Sequence, residues 1–153
     1  AGKPEPVEPD KSNVDTTKKL HCTISIDCAT ILNNLSDLDP AKLDVLPTDG
    51  VVLGAVTVEF SEGESVFDVL QRVCRENNIH LEATFTPGYN SAYVEGIHNL
   101  YEFDCGELSG WMYSVNGWFP NYGCSRYAVQ DGDVIRWRYT CDLGADVGGS
   151  MVA

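Results

Sequence analysis

Two strands, one capped helix and then several more strands follow one another along this chain, an order that predicts an α+β fold of β-grasp-like type. A mixed sheet packed by one main helix and stapled by disulfides is the expected architecture. Three observations carry it. From Leu20 the sequence alternates strictly, with Cys22, Ile24, Ile26 and Cys28 on one face and Thr23, Ser25 and Asp27 on the other, the pattern of a half-buried strand. Ser65 is an N-cap acceptor, Asp68 completes a capping-box-like pair, and Val66, Phe67, Leu70, Val73 and Cys74 recur at the spacing of one helical face. Val134 to Cys141 alternates again, with Ile135, Trp137, Tyr139 and Cys141 on the buried side.

The elements can be taken in order. Residues 1–19 carry Pro4, Pro6 and Pro9 among polar side chains, with Val7 and Val14 the only large apolar ones, and are expected to be a disordered linker dispensable for folding. The strand from Leu20 to Cys28 is followed by a short helix over Ala29 to Leu35 and a Pro- and Asp-punctuated connection ending at Thr48-Asp49-Gly50. A second strand is expected at Val56 to Phe60 and the helix at Val66 to Asn77, where Ile79 can fold back over the last turn. Leu81 to Phe85 is extended, Pro87-Gly88 breaks it, and Tyr89 to Tyr93 reads as a long loop leading to Val94-Glu95-Gly96-Ile97. Asn116-Gly117 between Trp111–Val115 and Trp118-Phe119 signals a hairpin, because both turn residues must tolerate positive φ. The domain should thus span residues 20–142, with 143–153 a flexible tail.

A formal net charge of -13 and ten Lys plus Arg argue against nucleic acid or anionic lipid as partner, and favour solubility and cationic partners. No membrane-spanning run is present in the 153 residues. Six cysteines point to an oxidising compartment. They do not read as metal ligands: no Cys-x-x-Cys occurs, and His21, His80 and His98 stand at no zinc-like interval from them. Cys105 and Cys124 bracket the hairpin and are expected to pair, with Cys22, Cys28, Cys74 and Cys141 pairing among themselves. If the first and last strands run parallel side by side, Cys28 and Cys141 lie at the same end and form the second bridge.

Catalytic constellations are absent from the pattern. Ser109 lies outside any Gly-x-Ser-x-Gly, and the histidines are scattered. Asp142 and Asp146 match no calcium-loop spacing, while Gly144, Gly148 and Gly149 open no helix that would cradle phosphate. The chain therefore reads as a non-enzyme with no required cofactor. Aromatics concentrate between Tyr89 and Tyr139. Trp137, Tyr139 and Tyr127 belong to the core by strand alternation, whereas Trp118, Phe119 and Tyr122 straddle Pro120-Asn121 just past a tight turn, where a small domain has little core to offer. Exposed aromatics beside amides suit stacking on flat ligands or sugar faces.

Four pieces in order, Gly63-Glu64-Ser65-Val66-Phe67-Asp68-Val69-Leu70, Tyr93-Val94-Glu95-Gly96-Ile97, Gly110-Trp111-Met112-Tyr113, and Arg126-Tyr127-Ala128-Val129 with Gln130 to Trp137, resemble the C-terminal β domain of the cobalamin carriers transcobalamin and intrinsic factor. They are equally similar to the transcobalamin-like domains of bacterial surface proteins. The resemblance covers roughly residues 55–141. It implies that loops and hairpin side chains face one side of a corrin, the other side being covered in the carriers by a helical domain that no stretch of these residues resembles. The segments matching the family are Tyr93–Ile97, Trp111 with Tyr113, and Asn116–Trp118; together with Phe119 and Tyr122 they make the expected ligand surface. The implied function is a secreted or cell-surface binding module of a Gram-positive-type bacterium, with a corrinoid or similar small planar ligand. A reading of another class is an adhesion or stalk domain that binds protein or glycan without a small ligand, beside neighbouring domains of a larger surface protein.

Overall fold

The computed structural model describes residues 2–9 and 13–149. Its larger sheet is built from β1 (Asp15–Asp27), β2 (Val51–Glu62), β6 (Gly110–Val115) and β7 (Val134–Thr140), in the order β2-β1-β7-β6. β1 is antiparallel to β2 and parallel to β7, with Ile24 opposite Ile135 and Ile26 opposite Trp137, and β6 returns antiparallel to β7. A parallel pair of first and last strands needs a long crossover, which here carries α1 (Val66–Glu76). The α+β class and the single main helix are those expected from the sequence, but the strands divide into two sheets rather than one. A second sheet, β3-β4-β5, is formed by Leu81–Thr86, Ser91–Ile97 and Leu100–Tyr101.

The helix forms where its caps dictate. Asp68 N donates to Ser65 Oγ at 3.1 Å while Ser65 N donates to Asp68 Oδ2 at 2.9 Å, a reciprocal capping box. At the other end Asn78 takes φ 55° and Ile79 N donates back to Cys74 O at 2.8 Å, satisfying a carbonyl the helix leaves open. Val66, Val69, Leu70, Val73 and Cys74 are buried. Phe67, expected on that face, is only half-buried; Val69 lies closer to the centre of the stripe that Val66, Leu70 and Val73 define. The stripe packs into one core with Ile24, Ile26, Phe60, Ile135, Trp137 and Tyr139, each fully buried aliphatic contributing about 1.5–3 kcal/mol relative to exposure.

Several boundaries move. β1 starts at Asp15 rather than Leu20, since Lys19 pairs with Ser61 and Asp15 with Glu62, so a domain boundary at residue 20 cuts a strand. Residues 2–9 lie against the loop after β6, while Ala1 and the linker residues 10–12 fall outside the described residues. The expected loop Tyr89–Tyr93 is shortened to a turn over Pro87–Asn90, because Ser91, Ala92 and Tyr93 pair with Thr86, Phe85 and Thr84. The hairpin after Asn116-Gly117 has no full return strand: Trp118 makes a single bridge to Val115, and Pro120, which lacks an N–H, ends the pairing. The expected short helix after β1 divides into 3-10 turns at Ala29–Asn33 and Leu35–Asp37. Of the expected flexible tail, Ala145–Val147 forms a 3-10 turn with Val147 buried, held by Cys141 N donating to Asp146 Oδ2 at 2.8 Å; Ser150 to Ala153 lie outside the described residues.

The structure does not show the expected disulfides: none of the six cysteines is bonded to another. The Cys105 thiol donates to Asn34 O at 3.4 Å and sits beside Cys141, whereas the Cys124 thiol points to Ala92 O at 3.7 Å, so Cys105 meets Cys141 and not Cys124. The chain returns Cys141 at the end of β7 to the 3-10 turn after β1, where its thiol lies 3.6 Å from Thr30 Oγ1. Cys28 adjoins the same end of the core, as the parallel β1–β7 pairing requires.

Candidate functional site

The aromatic region past β6 is organised by one turn. Asn116 takes φ 53° and Gly117 φ 83°; Asn116 Nδ2 donates to Asp133 Oδ1 at 2.9 Å and its Oδ1 accepts from Val134 N at 2.8 Å. Both ends of its amide are thus consumed in joining the turn to the start of β7, so Asn116 presents the hairpin rather than a ligand. Asp133, itself buried, also accepts from Gln130 N at 2.8 Å, which ties the Asp131-Gly132 turn to the same spot.

The seven residues expected at the ligand surface separate into three groups. Trp111 and Tyr113 are 9% exposed and belong to the core: Trp111 Nε1 donates to Leu100 O at 2.8 Å with its ring edge-on to Tyr139, and Tyr113 OH donates to Tyr122 O at 2.7 Å. Strand alternation places both inward with Val115, on the face of β6 that also meets Trp137. Trp118, Phe119 and Tyr122 are half-buried; Trp118 and Tyr122 stand at the surface of that core, while the Phe119 ring lies against Gly149. Trp118 lies edge-on to Tyr122 at 6.2 Å, and Tyr122 stacks on buried Tyr127 at 6.2 Å with 18° between planes. The cluster is a platform fixed from beneath by Tyr113 and Tyr127. Tyr93 lies elsewhere, 42% exposed on the outer face of β4, its hydroxyl donating to Glu102 at 2.8 Å.

The segment carrying the platform is locked by backbone approach. Gly123 stands where a Cβ would come within 2.1 Å of Ser91 Oγ, so no other residue fits without moving β4. Ser125 N donates to Ser91 Oγ and Ala92 N donates to Ser125 Oγ, each at 3.1 Å. Arg126 follows, with Nε 3.1 Å from Val7 O and a guanidinium nitrogen 3.7 Å from Glu8. Sequence reasoning placed Arg126 in a family-resembling segment but gave it no binding role, because its partners Val7 and Glu8 come from the other end of the chain.

Other surfaces contrast with it. Phe103 is 64% exposed at φ 71°, an uncommon conformation for a bulky side chain, and Phe85 and Tyr89 are exposed on the β3-β4 hairpin. On the outer face of the second sheet Tyr101 OH bridges His80 Nε2 and Glu82, and the Glu82 hydrogen bond together with burial pushes the Tyr101 phenol up to about 12. A cleft of about 370 Å³ between β2 and α1 is lined by Lys19, Glu59, Glu64, Arg72 and Glu76, with Val58, Phe60 and Val73. Its guanidinium is already taken by Glu64 through contacts of 2.7 and 2.8 Å, and none of the platform aromatics reaches it.

No cluster of three or more His, Cys, Asp or Glu suited to a metal ion occurs among the described residues. Burial pushes the Cys22 thiol up to about 11 and those of Cys28, Cys74, Cys105 and Cys124 to about 12, which leaves them protonated at neutral pH and poor nucleophiles. Ser109 Oγ is engaged by Cys105 N, Gly106 O and Tyr139 OH. Among the described residues no helix is long and apolar enough to cross a membrane.

Against known proteins, the fold is similar to that of haptocorrin in complex with Cbi, at TM-score 0.58 and 15% sequence identity over 88% of this chain. That match covers 28% of the haptocorrin chain, so this chain spans under a third of its length. A "putative metal binding protein" from Ruminococcus gnavus ATCC 29149 is similar at TM-score 0.45 and 15% identity, over 79% of this chain and 96% of that one. No curated protein matches. Residues 63–141, from the glycine that opens the helix cap to the cysteine that follows β7, match the family described as Domain of unknown function (DUF4430), and the chain belongs to that family.

Proposed function

We propose that this chain is a non-catalytic extracellular binding module whose Trp118–Phe119–Tyr122 platform takes a small planar ligand, with a corrinoid as the best-fitting class. The observation that carries the reading is the platform itself: half-buried Trp118 and Tyr122 lie edge-on to each other past a rigid Asn-Gly turn, with Tyr122 stacked on buried Tyr127 and Phe119 adjoining in sequence. A preformed aromatic surface loses little conformational entropy on binding. Support of a second kind comes from the fold shared with haptocorrin, whose structure is a complex with Cbi. Trp111, Tyr113 and Asn116 contribute by holding the platform, and Tyr93 flanks it at a distance on β4. No cofactor is required for binding, and the protonated thiols and the committed Ser109 speak against nucleophilic catalysis.

A secreted or cell-surface setting, as on a Gram-positive-type bacterium, fits the six cysteines. There, thiol–disulfide exchange with a disulfide oxidant would join Cys105 to Cys141, the two thiols that already adjoin. Non-reducing peptide mapping of secreted protein checks this: a Cys105–Cys141 peptide is expected, and a Cys105–Cys124 peptide would refute it.

Calorimetric titration with cobalamin and with its precursor cobinamide tests the ligand class. Saturable binding of either, weakened in Trp118→Ala and Tyr122→Ala, is the expected result. A second reading, docking of protein or glycan as in an adhesion domain, is favoured by one observation, that a peptide segment already rests on this face. Absence of binding by both corrinoids would leave that reading in place.

A further inference from the structure

Residues 3–8, Lys-Pro-Glu-Pro-Val-Glu, cross the platform in a defined register. Lys3 Nζ lies 5.4 Å from the Trp118 ring centroid, a cation–π contact. Tyr122 OH donates to Pro4 O at 2.7 Å. Val7 N donates to Arg126 O at 2.8 Å, while Arg126 Nε donates to Val7 O at 3.1 Å, so one residue of the segment is gripped at both backbone groups. Glu8 then meets the Arg126 guanidinium at 3.7 Å and accepts from Asn90 Nδ2 at 2.6 Å.

The sequence of the segment fits this groove for a physical reason. Prolines at 4 and 6 hold the chain extended and remove two N–H donors, so recognition must come from donors aimed at its carbonyls, which Tyr122 and Arg126 supply. Pro4 and Val7 are half-buried while Lys3, Glu5, Pro6 and Glu8 are exposed, a spacing of three that matches the three-residue turn of a polyproline II helix laid along one edge. Aromatic grooves that read such segments use the same division of labour, with rings for the apolar edge and side-chain donors for the carbonyls.

We infer that the Trp118, Tyr122 and Arg126 groove is a docking surface for an extended, proline-containing acidic segment, that its occupant is the chain's own Lys3–Glu8, and that this segment regulates the platform by competing with its ligand. The docking stands on the contacts above; the competition rests in addition on the proposed ligand face. Tethering makes the docking effective even when intrinsically weak, because a short linker supplies an effective concentration of about millimolar.

The test compares the full chain with a form lacking residues 1–9, which retains all of β1, and with Val7→Pro, which deletes the N–H donated to Arg126 O. Heteronuclear NMR reads the Trp118 indole and the Arg126 Nε–H directly. Both signals are expected to shift in both variants, and adding the acetylated and amidated peptide Lys-Pro-Glu-Pro-Val-Glu to the truncated form should restore them with millimolar-range affinity. Unshifted signals in both variants would overturn the docking, as would concentration-dependent dimerisation of the full chain that places the segment on a second copy. Cobinamide titration then reads the competition, with several-fold tighter binding expected for the truncated form. Equal affinity in the two forms would overturn competition while leaving the docking intact, and no binding to either, with the NMR shifts present, would fail the corrinoid reading alone.

Discussion

Asn116 spends its whole side chain on one turn, and its backbone sits at φ 53°, where an L-residue with a Cβ is strained unless a short polar side chain compensates. Asn116→Ala should cost about 1–3 kcal/mol, combining the left-handed penalty with the lost bonds to Asp133 and Val134. Asn116→Gly should recover the conformational part, and urea unfolding of the two variants measures the difference. Trp118 and Tyr122 behave in the opposite way. Both are half-buried at the surface, so Trp118→Ala and Tyr122→Ala should leave the fold intact, as judged by far- and near-UV circular dichroism, and weaken ligand binding by about 1–3 kcal/mol. Unfolding of both variants would move the platform into the core and remove it as a binding face.

At the level of elements, the joint between β2 and α1 depends on one carboxylate. Glu64 accepts from Ser61 N at the end of β2 and pairs with Arg72 two turns into the helix, bidentately. Burial pushes its pKa up, but the Arg72 and Ser61 hydrogen bonds outweigh that and hold the carboxyl below its ordinary 4.5. A depressed carboxylate stabilises the fold fully above the unfolded value and loses that contribution as pH falls through the folded one. Glu64→Gln should therefore be less stable than wild type by about 1–2 kcal/mol at pH 7, with the gap closing as pH drops below about 4.5; denaturant titrations at pH 7 and pH 3 compare them. The start of β1 gives a second prediction at this level. A chain beginning at Leu20 loses the Lys19–Ser61 and Asp15–Glu62 pairing and the 3.1 Å Lys18–Glu62 contact, and should melt several degrees lower, whereas removal of residues 1–9 alone should change the melting temperature by only about a degree or two.

For the molecule as a whole, the alternation of Ile24 with Ile26 and of Ile135 with Trp137 was enough to place two strands and their buried faces, and Ser65 with Asp68 was enough to start the helix. These signals act over two to four residues, where side-chain period and capping chemistry decide the outcome before any distant contact forms. The parallel β1–β7 pair, only a condition in the sequence reading, is decided by the strand order β2-β1-β7-β6. The neighbours of Cys105, the inward turn of Trp111 and Tyr113, the Ser91–Gly123 contact and the grip of Arg126 on Val7 had no local signature. Each joins residues far apart in the chain, and such meetings depend on strand order and on how the two sheets abut. A sequence can state that a cysteine is core-facing, but which thiol lies across from it is set by where β7 ends relative to the loop before β6. It can likewise concentrate aromatics past a turn, while the division into buried supports and a surface platform, and the peptide that covers that platform, follow only from the assembled tertiary structure, because burial belongs to the packed arrangement and not to the residue.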